Sequence, residues 1–594
     1  EFVWQFNRHR FFMTLGQAYQ MTGDEKYARA FMEIAEDWID HVPLNEKYAA
    51  GPWRSLDTGF RGEYWSKAIW LFHDSPTLTE AFLQKYYDSM ILQAEHIMEC
   101  HSAYRYMSNW GVIENHGLFE IGVCLPQSEK TKQFIAFAVK NLEVQVRMQI
   151  MPDGVHWEQS PMYHNEVLHC LLDVILLAKR NDIALPDVIL RQTEKMAMAD
   201  VAWLKPDHHI LMMGDSDDVD VRDRISVAAY LFLNPVLRFG GFDRLDYESI
   251  WDLGMKAGEE YAGMERREPD FTSLFLEHSG NTYFRSDWSE RANFLHLHSG
   301  TMGAGHGHSD KLHIDLVVNG EDVLMDGGRY TYVSGPKRFS YKDPSGHNTI
   351  TVDDLPFTVC KDSWECSKLS QPVKENFRCT KLAEFAQAGQ LGYMDLPGGV
   401  YVNRKAVYIK PDLYVLADEM YTGDRHTYQQ YFHFNNHGTV TQNAPGEKKF
   451  PCVVYRGKMA EADFYFVSAQ VKAELKSGHI ARHYNVEEEN TVCKVTKQGE
   501  GFTSLITVID AQPGRPLSIE KLPVRSALKQ TDYPETMAEA LKITAGEKEY
   551  VVILCHQEVN SPTDLVEADG CMGYGNVIVF DKAGDVLVGD VLNW

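Results

Sequence analysis

The chain has 594 residues, of which 44% are hydrophobic and 12% aromatic, and its formal net charge is −26. This length accommodates roughly two to four domains of ordinary size. The acidic balance excludes a general nucleic-acid binder, although one locally basic cleft could still hold a polyanionic substrate. No apolar run in the sequence is long enough to span a bilayer.

The ten cysteines are scattered without CxxC pairs, a pattern that favours neither a zinc ribbon nor a dense disulfide framework. The sequence opens on EFVWQFNRHRFF, which already resembles part of a helical unit. We therefore expect that an N-terminal portion precedes it. For that reason the lack of a visible signal peptide says little about export.

Residues 1–245 carry apolar side chains at helical spacing. The segment FFMTLGQAYQMTG ends at Gly23, and Asp24 is placed to cap the helix that follows. Helix, short turn and helix recur along this part, and such hairpins must stack to bury their apolar stripes. Stacking in a ring gives an α/α toroid and stacking in a line gives a solenoid. Periodicity alone does not choose between them.

A change of pattern follows the helical part. Residues 246–270 are charged and are typical of a linker helix. Residues 271–594 alternate apolar and polar side chains between turns, which predicts a large antiparallel β-sandwich. A smaller C-terminal β portion could begin near residue 472. The predicted fold class is thus α+β and multidomain, with helical hairpins first and the sandwich second.

The most informative stretch is 303–352, which begins GAGHGHSDKLHIDLVVNGEDVLMDGG. His306 and His308 are two residues apart, so on an extended strand they would share one face. LHIDLVV and DVLMD are β-rich, and Asn319-Gly320 between them predicts a tight hairpin turn.

This hairpin predicts a metal site. It returns Asp326 to the level of His308, and HNTITV opens a further strand with His347 at its start. Two imidazoles and one carboxylate from neighbouring strands suit Zn²⁺ or a similar divalent ion, with His306 beside them. The alternative is that these histidines are polar residues at strand ends with ordinary hydrogen bonds.

Two segments of the helical part contain more polar and aromatic side chains that can bind or react with a substrate than connecting loops need. SNWGVIENHGLFEIG places Asn115 and His116 before an apolar helical run. MPDGVHWEQSPMYHNEV places Trp157, Glu158 and Tyr163 ahead of another helix.

Helical hairpins followed by a sandwich that opens on HGHSD, MDGG and HNTITV resemble the heparinase II/III family of polysaccharide lyases. The resemblance covers nearly the whole chain, and within the family it is strongest to heparinase III, the heparan sulfate lyases. It implies an α/α toroid and cleavage of uronate-containing polysaccharides by β-elimination. It also implies a bacterial protein that is periplasmic or secreted.

The family's reaction needs a group that neutralises the uronate carboxylate, a base for the C5 proton and an acid for the leaving O4. Asn115 is the expected neutraliser, because its amide donates hydrogen bonds without charge; an N-cap at a loop-to-helix transition is the alternative. Tyr163 is the expected acid and, with a lowered pKa, can also be the base; otherwise it is a half-buried aromatic residue. The match assigns shared proton transfer to His306.

The match also assigns His308, Asp326 and His347 to a divalent metal with a mainly structural role. Zinc suits this ligand set, and manganese or calcium with added waters are the alternatives. The substrate contacts we expect come from three side chains in the implicated loops. These are His116, Trp157 and Arg338.

Three other functions remain compatible with these residues. Asn115-His116 also suits an alginate or oligoalginate lyase of the same architecture. Glu158 and Asp215 could form the carboxylate pair of a toroidal glycoside hydrolase. A glycan-binding protein without activity would use the metal for structure alone, but the HGH pair would then have no chemical task.

Overall fold

Helices form the first part of the chain and antiparallel strands the rest, which confirms the predicted order. The computed structural model describes residues 2–444, 446–557, 564–582 and 587–593. It divides into two compact units. The helical unit comprises Glu1–His156, Tyr163–Ala199 and Asp223–Arg266, and the sheet unit comprises Trp157–Met162, Asp200–Arg222 and Arg267–Trp594.

The helices begin and end where local chemistry predicts. Gly23, in the left-handed conformation with φ 65°, ends the second helix, and the Asp24 side chain accepts a hydrogen bond from Lys26 N to begin the third. The α-helices up to residue 262 are α1 Phe2–Asn7, α2 Phe11–Thr22, α3 Glu25–His41, α4 Glu46–Ala49, α5 Ser55–Leu71, α6 Glu80–Cys100, α7 Asn109–Cys124, α8 Glu129–Gln149, α9 Pro161–Arg180, α10 Asp187–Trp203, α11 Arg222–Phe232, α12 Pro235–Gly240, α13 Tyr247–Leu253 and α14 Met255–Ala262.

Helices α5 and α7 lie in direct backbone contact within the helical unit. A Cβ atom added to Gly117 of α7 would lie 2.0 Å from the carbonyl oxygen of Gly59 in α5. A Cβ atom on Gly62 would likewise lie 2.7 Å from Gly117 O. Glycine is therefore required for this approach. It places α7, which carries Asn115 and His116, against α5 without a layer of side chains between them.

Helices α13 and α14 occupy the stretch predicted as a linker and belong to the helical unit. None of the described helices combines the length and the apolar character that a membrane-spanning segment needs.

The sheet unit is built around a 15-stranded antiparallel sheet. Its predicted hairpin is present, with Asn319 and Gly320 both at positive φ in the turn. Up to residue 466 the unit contains β1 Leu274–Leu276, β2 Asn281–Arg285, β3 Phe294–His298, β4 His313–Val318, β5 Glu321–Leu324, helix α15 Pro336–Lys342, β6 Ile350–Val352, β7 Val359–Cys360, β8 Cys366–Lys368, β9 Pro372–Cys379, β10 Ala383–Tyr393, β11 Val400–Ile409, β12 Leu413–Phe434, β13 Thr439–Gln442, β14 Cys452–Arg456 and β15 Glu461–Phe466.

A second, five-stranded sheet packs on the large one through a shared apolar core that includes Val407, Val415, Ile543 and Val552. Strands β16 and β17 still belong to the large sheet, so the separate sheet begins at Leu517, later than the predicted position near residue 472. The remaining strands are β16 Lys472–His483, β17 Val486–Asp510, β18 Leu517–Leu522, β19 Arg525–Ser526, β20 Ala538–Ala545, β21 Lys548–Cys555, β22 Val566–Ala568, β23 Cys571–Gly573, β24 Val577–Asp581 and β25 Val588–Asn593.

Candidate active site and metal site

His306 and His308 lie in the loop between β3 and β4, so the prediction that both belong to a strand is wrong. The glycines around them bend the chain. Gly303 has φ 77°, and a Cβ atom on Gly307 would lie 1.5 Å from Met302 O, which an extended strand would not bring there. The two imidazoles therefore do not share a strand face. They meet instead at a carboxylate from a distant part of the chain.

That carboxylate is Asp215, in the acidic turn 212–218, and it is fully buried. Its Oδ2 accepts a hydrogen bond from His306 Nδ1 at 2.9 Å, and its Oδ1 accepts one from His308 Nε2 at 2.9 Å. Arg338 donates to the same carboxylate at 2.9 Å. From the sequence alone, Asp215 was a candidate only for the carboxylate pair of a hydrolase, and its contacts with the two histidines were not predicted.

The charge state of Asp215 follows from these contacts. Burial alone would raise the pKa of Asp215, but the Arg338 guanidinium and the hydrogen bonds from His306 and His308 hold it well below its ordinary value. An ionised Asp215 fixes the orientation of both rings. The Nδ1 atom of His306 is therefore engaged by Asp215, and its predicted share in proton transfer stays a prediction.

The structure brings together the three predicted metal ligands. Among the described residues, one ligand atom each from His308, Asp326 and His347 lies within 4.8 Å of the others, and all three side chains are buried. His347 Nδ1 also lies 2.8 Å from Asp326 Oδ2. We call these three residues the His308 triad.

Two ring nitrogens of the His308 triad indicate that it fits a metal ion. Within the described part of the chain, His308 Nδ1 and His347 Nε2 are buried without a hydrogen-bond partner. Burial lowers the pKa of His308 to about 3, although its hydrogen bond to Asp215 opposes this, so the ring is neutral and Nδ1 carries a lone pair. An unpaired imidazole nitrogen is costly to bury unless it binds a ligand such as a metal.

Asp315 and His313, which are not members of the triad, help to fix the position and charge of Asp326. Its backbone N–H donates to Asp315 Oδ1 at 3.1 Å, and His313 Nε2 lies 3.1 Å from the same oxygen. Burial opposes protonation of His313, but Asp315 and Asp326 raise its pKa to about 9. The sequence could have indicated this contact, because His313 and Asp315 are two residues apart at the start of β4 and so lie on one face of the strand.

Asn115 lies in the interior of α7 and not at a loop-to-helix transition, because Ser108 is the N-cap of that helix. The apolar run that we took as the start of the helix is its second half. Asn115 is 1% exposed, and its Nδ2 donates to Gly111 O at 2.7 Å. Its Oδ1 has no hydrogen-bond partner among the residues that the structure describes.

His116 belongs to a buried group of ionisable side chains in the helical unit, which we call the Lys67 cluster. His116 Nε2 lies 3.4 Å from oxygens of both Glu120 and Asp173. His116 is 1% exposed, as is Asn115, and its predicted contact with substrate stays a prediction. The cluster consists of Glu63, Lys67, His116, Glu120, His169, Asp173 and Asp252.

Lys67 supplies the positive charge at the centre of this cluster. Its Nζ lies 2.6 Å from Asp173, 3.1 Å from Glu63 and 3.5 Å from Asp252. Burial alone would lower the pKa of Lys67, but the three carboxylates raise it well above its ordinary value. Subsets of the cluster have the spacing of metal ligands, yet each of them already contacts a cation, the Lys67 ammonium, through Asp173.

The other predicted site residues differ in exposure. Tyr163 lies in the first turn of α9 and is half-buried, as is Trp157 in the sheet unit. Arg338 is fully buried and engaged by Asp215, which favours a positioning role over contact with a sulfate or carboxylate of the substrate. The roles of Tyr163 and Trp157 stay predictions.

Curated relatives with sequences similar to this chain are bacterial. A heparin-sulfate lyase of Pedobacter heparinus is 26% identical over 390 residues, which are 61% of this chain and 54% of the relative. One of Bacteroides thetaiotaomicron is 23% identical over 446 residues, 70% of this chain and 59% of the relative. The chain thus spans little more than half the length of these relatives.

Solved structures share the fold. A structure of heparinase III has a TM-score of 0.75 at 17% identity, covering 93% of this chain and 83% of that one. A heparan sulfate lyase of Pedobacter heparinus has a TM-score of 0.69 at 20% identity, covering 94% and 83%. The predicted fold class, an α/α toroid followed by a β-sandwich, is confirmed by these likenesses.

Family models match both halves of the chain. The Heparinase II/III N-terminus model matches residues 1–235, and the Heparinase II/III-like, C-terminal model matches residues 269–515. Together these matches include every predicted site residue, from Asn115 to His347. The chain therefore belongs to the heparinase II/III family.

Proposed function

We propose that the chain is a polysaccharide lyase that cleaves heparan sulfate, or a related uronate-containing glycosaminoglycan, by β-elimination. One observation carries the proposal beyond family membership. A single buried carboxylate, Asp215, holds the His306 imidazole and a ligand of the His308 triad at 2.9 Å each. Such an arrangement prepares one histidine for proton transfer and the other for metal binding.

In the reaction we propose, a base removes the proton from C5 of the uronate. The electron pair of that C–H bond forms the C4–C5 double bond, the C4–O4 bond breaks, and an acid protonates O4. His306, through Nε2, and Tyr163 share these proton transfers. The Asn115 amide donates to the uronate carboxylate and so stabilises the charge that develops in the transition state; for this its side chain must turn away from Gly111 O.

The metal that the family implies would be held by His308, Asp326 and His347. When bound, a divalent cation supplies positive charge that fixes the loop carrying His308 and, through it, His306. We favour zinc because of the two nitrogen ligands and one oxygen ligand, with manganese or calcium as alternatives. The elimination itself needs only the protein's acid and base groups.

Substrate contact in this proposal falls to Trp157, whose half-buried indole can stack on a sugar ring. Arg338 and His116 position other residues. Because the relatives named above are bacterial, we also propose that the protein acts in the periplasm or outside the cell, where polysaccharide is available.

Product analysis tests the proposal. We would digest heparan sulfate, heparin and alginate separately, follow the ultraviolet absorbance of the unsaturated uronate, and weigh the products by mass spectrometry. We expect unsaturated ends, one water lighter than hydrolysis products, from heparan sulfate and not from alginate. Saturated ends would refute elimination, and activity on alginate alone would refute the substrate class. The His306→Ala variant serves as the inactive control.

A further inference from the structure

Two cysteines of the sheet unit face each other across a short hairpin. Cys360 ends β7 and Cys366 begins β8, and the two residues are direct partners in this antiparallel pair. Their sulfur atoms lie 3.3 Å apart. Throughout the described ranges, which include all ten cysteines, no other two are in hydrogen-bonding contact with each other.

This placement satisfies the geometry of a disulfide bond. Directly opposed residues of an antiparallel pair have Cα atoms about 4.5–5.5 Å apart. That separation lies within the range of about 4.4–6.8 Å seen in disulfides. The two sulfur atoms, now 3.3 Å apart, need to approach by about 1.3 Å to reach the S–S bond length of about 2.04 Å, which side-chain rotation can provide.

The local environment also favours thiolate formation at one of the two. Hydrogen bonding with Cys360 and the nearby Lys342 ammonium lower the pKa of Cys366 to about 7, although burial opposes this. A thiolate is the species that attacks a disulfide.

The loop closed by this pair packs against the candidate catalytic histidine. It carries Trp364, whose ring centroid lies 5.2 Å from that of His306, edge to face, and 5.1 Å from that of Tyr332. Lys342 Nζ donates to Ser363 O in this loop and to Gly305 O beside His306. The hairpin and the histidine loop are thus bonded through one ammonium group.

By itself the hairpin holds Trp364 weakly. Its ladder has only two residue pairs, and Trp364 is 49% exposed. Short two-stranded ladders are marginally stable in water. A covalent link between the two strands lowers the conformational entropy of the unfolded hairpin and so stabilises the folded one.

We propose that Cys360 and Cys366 form a disulfide bond that fixes Trp364 as a positioning residue beside His306. The Cys366 thiolate attacks a small-molecule or protein disulfide, which gives a mixed disulfide and releases one thiolate of the oxidant. The Cys360 thiolate then displaces the second thiolate of the oxidant. The two cysteines lose two protons and two electrons, and the oxidant's disulfide gains them.

Thiol counting tests the bond directly and does not depend on the proposed lyase activity. We would incubate the full chain with oxidised or reduced glutathione, denature it, alkylate it and map the labelled peptides. We expect two fewer labelled thiols after oxidation, both in the peptide containing Cys360 and Cys366. Cys379, which is exposed, should be labelled in both samples and serves as the internal control. Labelling of Cys360 and Cys366 in the oxidised sample would overturn the proposal.

A second measurement tests the positioning of Trp364, and this part rests on the proposed function. Reduction should lower kcat/KM of the wild type by about tenfold and shift its pH profile, since small displacements of a catalytic group are costly. The Cys360→Ser/Cys366→Ser variant should not respond to reductant, and Cys379→Ser should respond as the wild type does. A disulfide whose reduction leaves both the rate and the pH profile unchanged would overturn the positioning role while leaving elimination itself intact.

Discussion

Two buried groups of histidines and carboxylates, one in each unit, use the same residue types to different ends. The Lys67 cluster contains its own cation, since Nζ of Lys67 lies within 3.5 Å of three carboxylates. The His308 triad has no lysine or arginine in its set of ligands, and among the described residues two of its ring nitrogens have no hydrogen-bond partner. The difference teaches that ligand spacing alone does not identify a metal site.

His116 and His308 differ in their affinity for protons, whereas His347 of the triad resembles His116, since burial opposes protonation of His347 but Asp326 raises its pKa. Burial opposes protonation of His116, but interactions with Cys170, Asp173 and Glu120 raise its pKa well above the ordinary value. Burial lowers the pKa of His308 to about 3. A protonated imidazole belongs to an internal ion cluster, whereas a neutral imidazole is the form that binds metal.

The largest effect should follow from removing the carboxylate that joins His306 to the His308 triad. We expect Asp215→Asn to lower kcat/KM by about 10²- to 10⁴-fold, because His306 loses the partner that sets its tautomer. Metal affinity should fall by about 10- to 100-fold, because His308 loses its supporting hydrogen bond. Kinetics and metal analysis measure both. Asp220→Asn, which alters a partly exposed ion pair with Arg222, should change neither value.

The next effect concerns the internal cation. Lys67→Met would leave the buried carboxylates of the Lys67 cluster without their ammonium partner, so we expect the helical unit to lose about 3–5 kcal/mol of stability. Denaturant unfolding followed by hydrogen exchange in this unit measures the loss. Lys85→Met, which removes an exposed pair with Asp40, should cost less than about 1 kcal/mol. Equal losses in the two variants would mean that Lys67 does not hold the cluster together.

Metal content distinguishes the two groups in a matched pair of variants. His308→Ala should release the metal that copurifies with the wild type, because one of three protein ligands is lost. His169→Ala in the Lys67 cluster should retain it, because Lys67 is the cation there. Elemental analysis of both proteins decides the matter. Metal lost from the His169 variant, and kept by the His308 variant, would reverse the assignment.

The smallest effect is a pH dependence of stability. The pKa of His116 is raised in the folded state, so its contribution is complete below the unfolded value of about 6.5 and is lost as pH rises through the folded value. The contribution of His9 to stability changes with pH in the opposite direction. Burial, aided by Arg61, lowers the pKa of His9 to about 3 in the folded state, so below about pH 6.5 the unfolded state gains a proton that the folded state does not, and stability falls.

Each slope is at most about 1.4 kcal/mol per pH unit. We expect His116→Gln to abolish a fall in stability above pH 6.5 and His9→Gln to abolish a fall below it. Thermal unfolding across this range measures both slopes. A His116→Gln protein that keeps the alkaline fall in full would show that this histidine is neutral in the folded cluster.

Local chemistry in the sequence predicted local structure well. The cap at Asp24 and the Asn319-Gly320 turn each follow from short-range rules. The approach of His308, Asp326 and His347 was also predicted, but from strands in which none of the three residues lies.

Other features could not be predicted because they depend on contacts between distant positions. Asp215 is 91 residues from His306 in the chain, and no local pattern in MMGDSDD indicates that partner. The loop at His306 follows from close backbone contacts of glycines, which the spacing of the two histidines conceals. Arg338, in a short polar helix, gave no sign that it would be fully buried.

The backbone contact between α5 and α7 has one more consequence. With no intervening side chains at this contact, a shift of the α7 backbone relative to α5 requires movement of main chain against main chain, which is stiffer than a change of rotamer. The contact therefore fixes the backbone from which the Asn115 side chain turns. Substituting Gly59 or Gly117 by alanine would act as a wedge, altering catalysis from positions that touch no sugar.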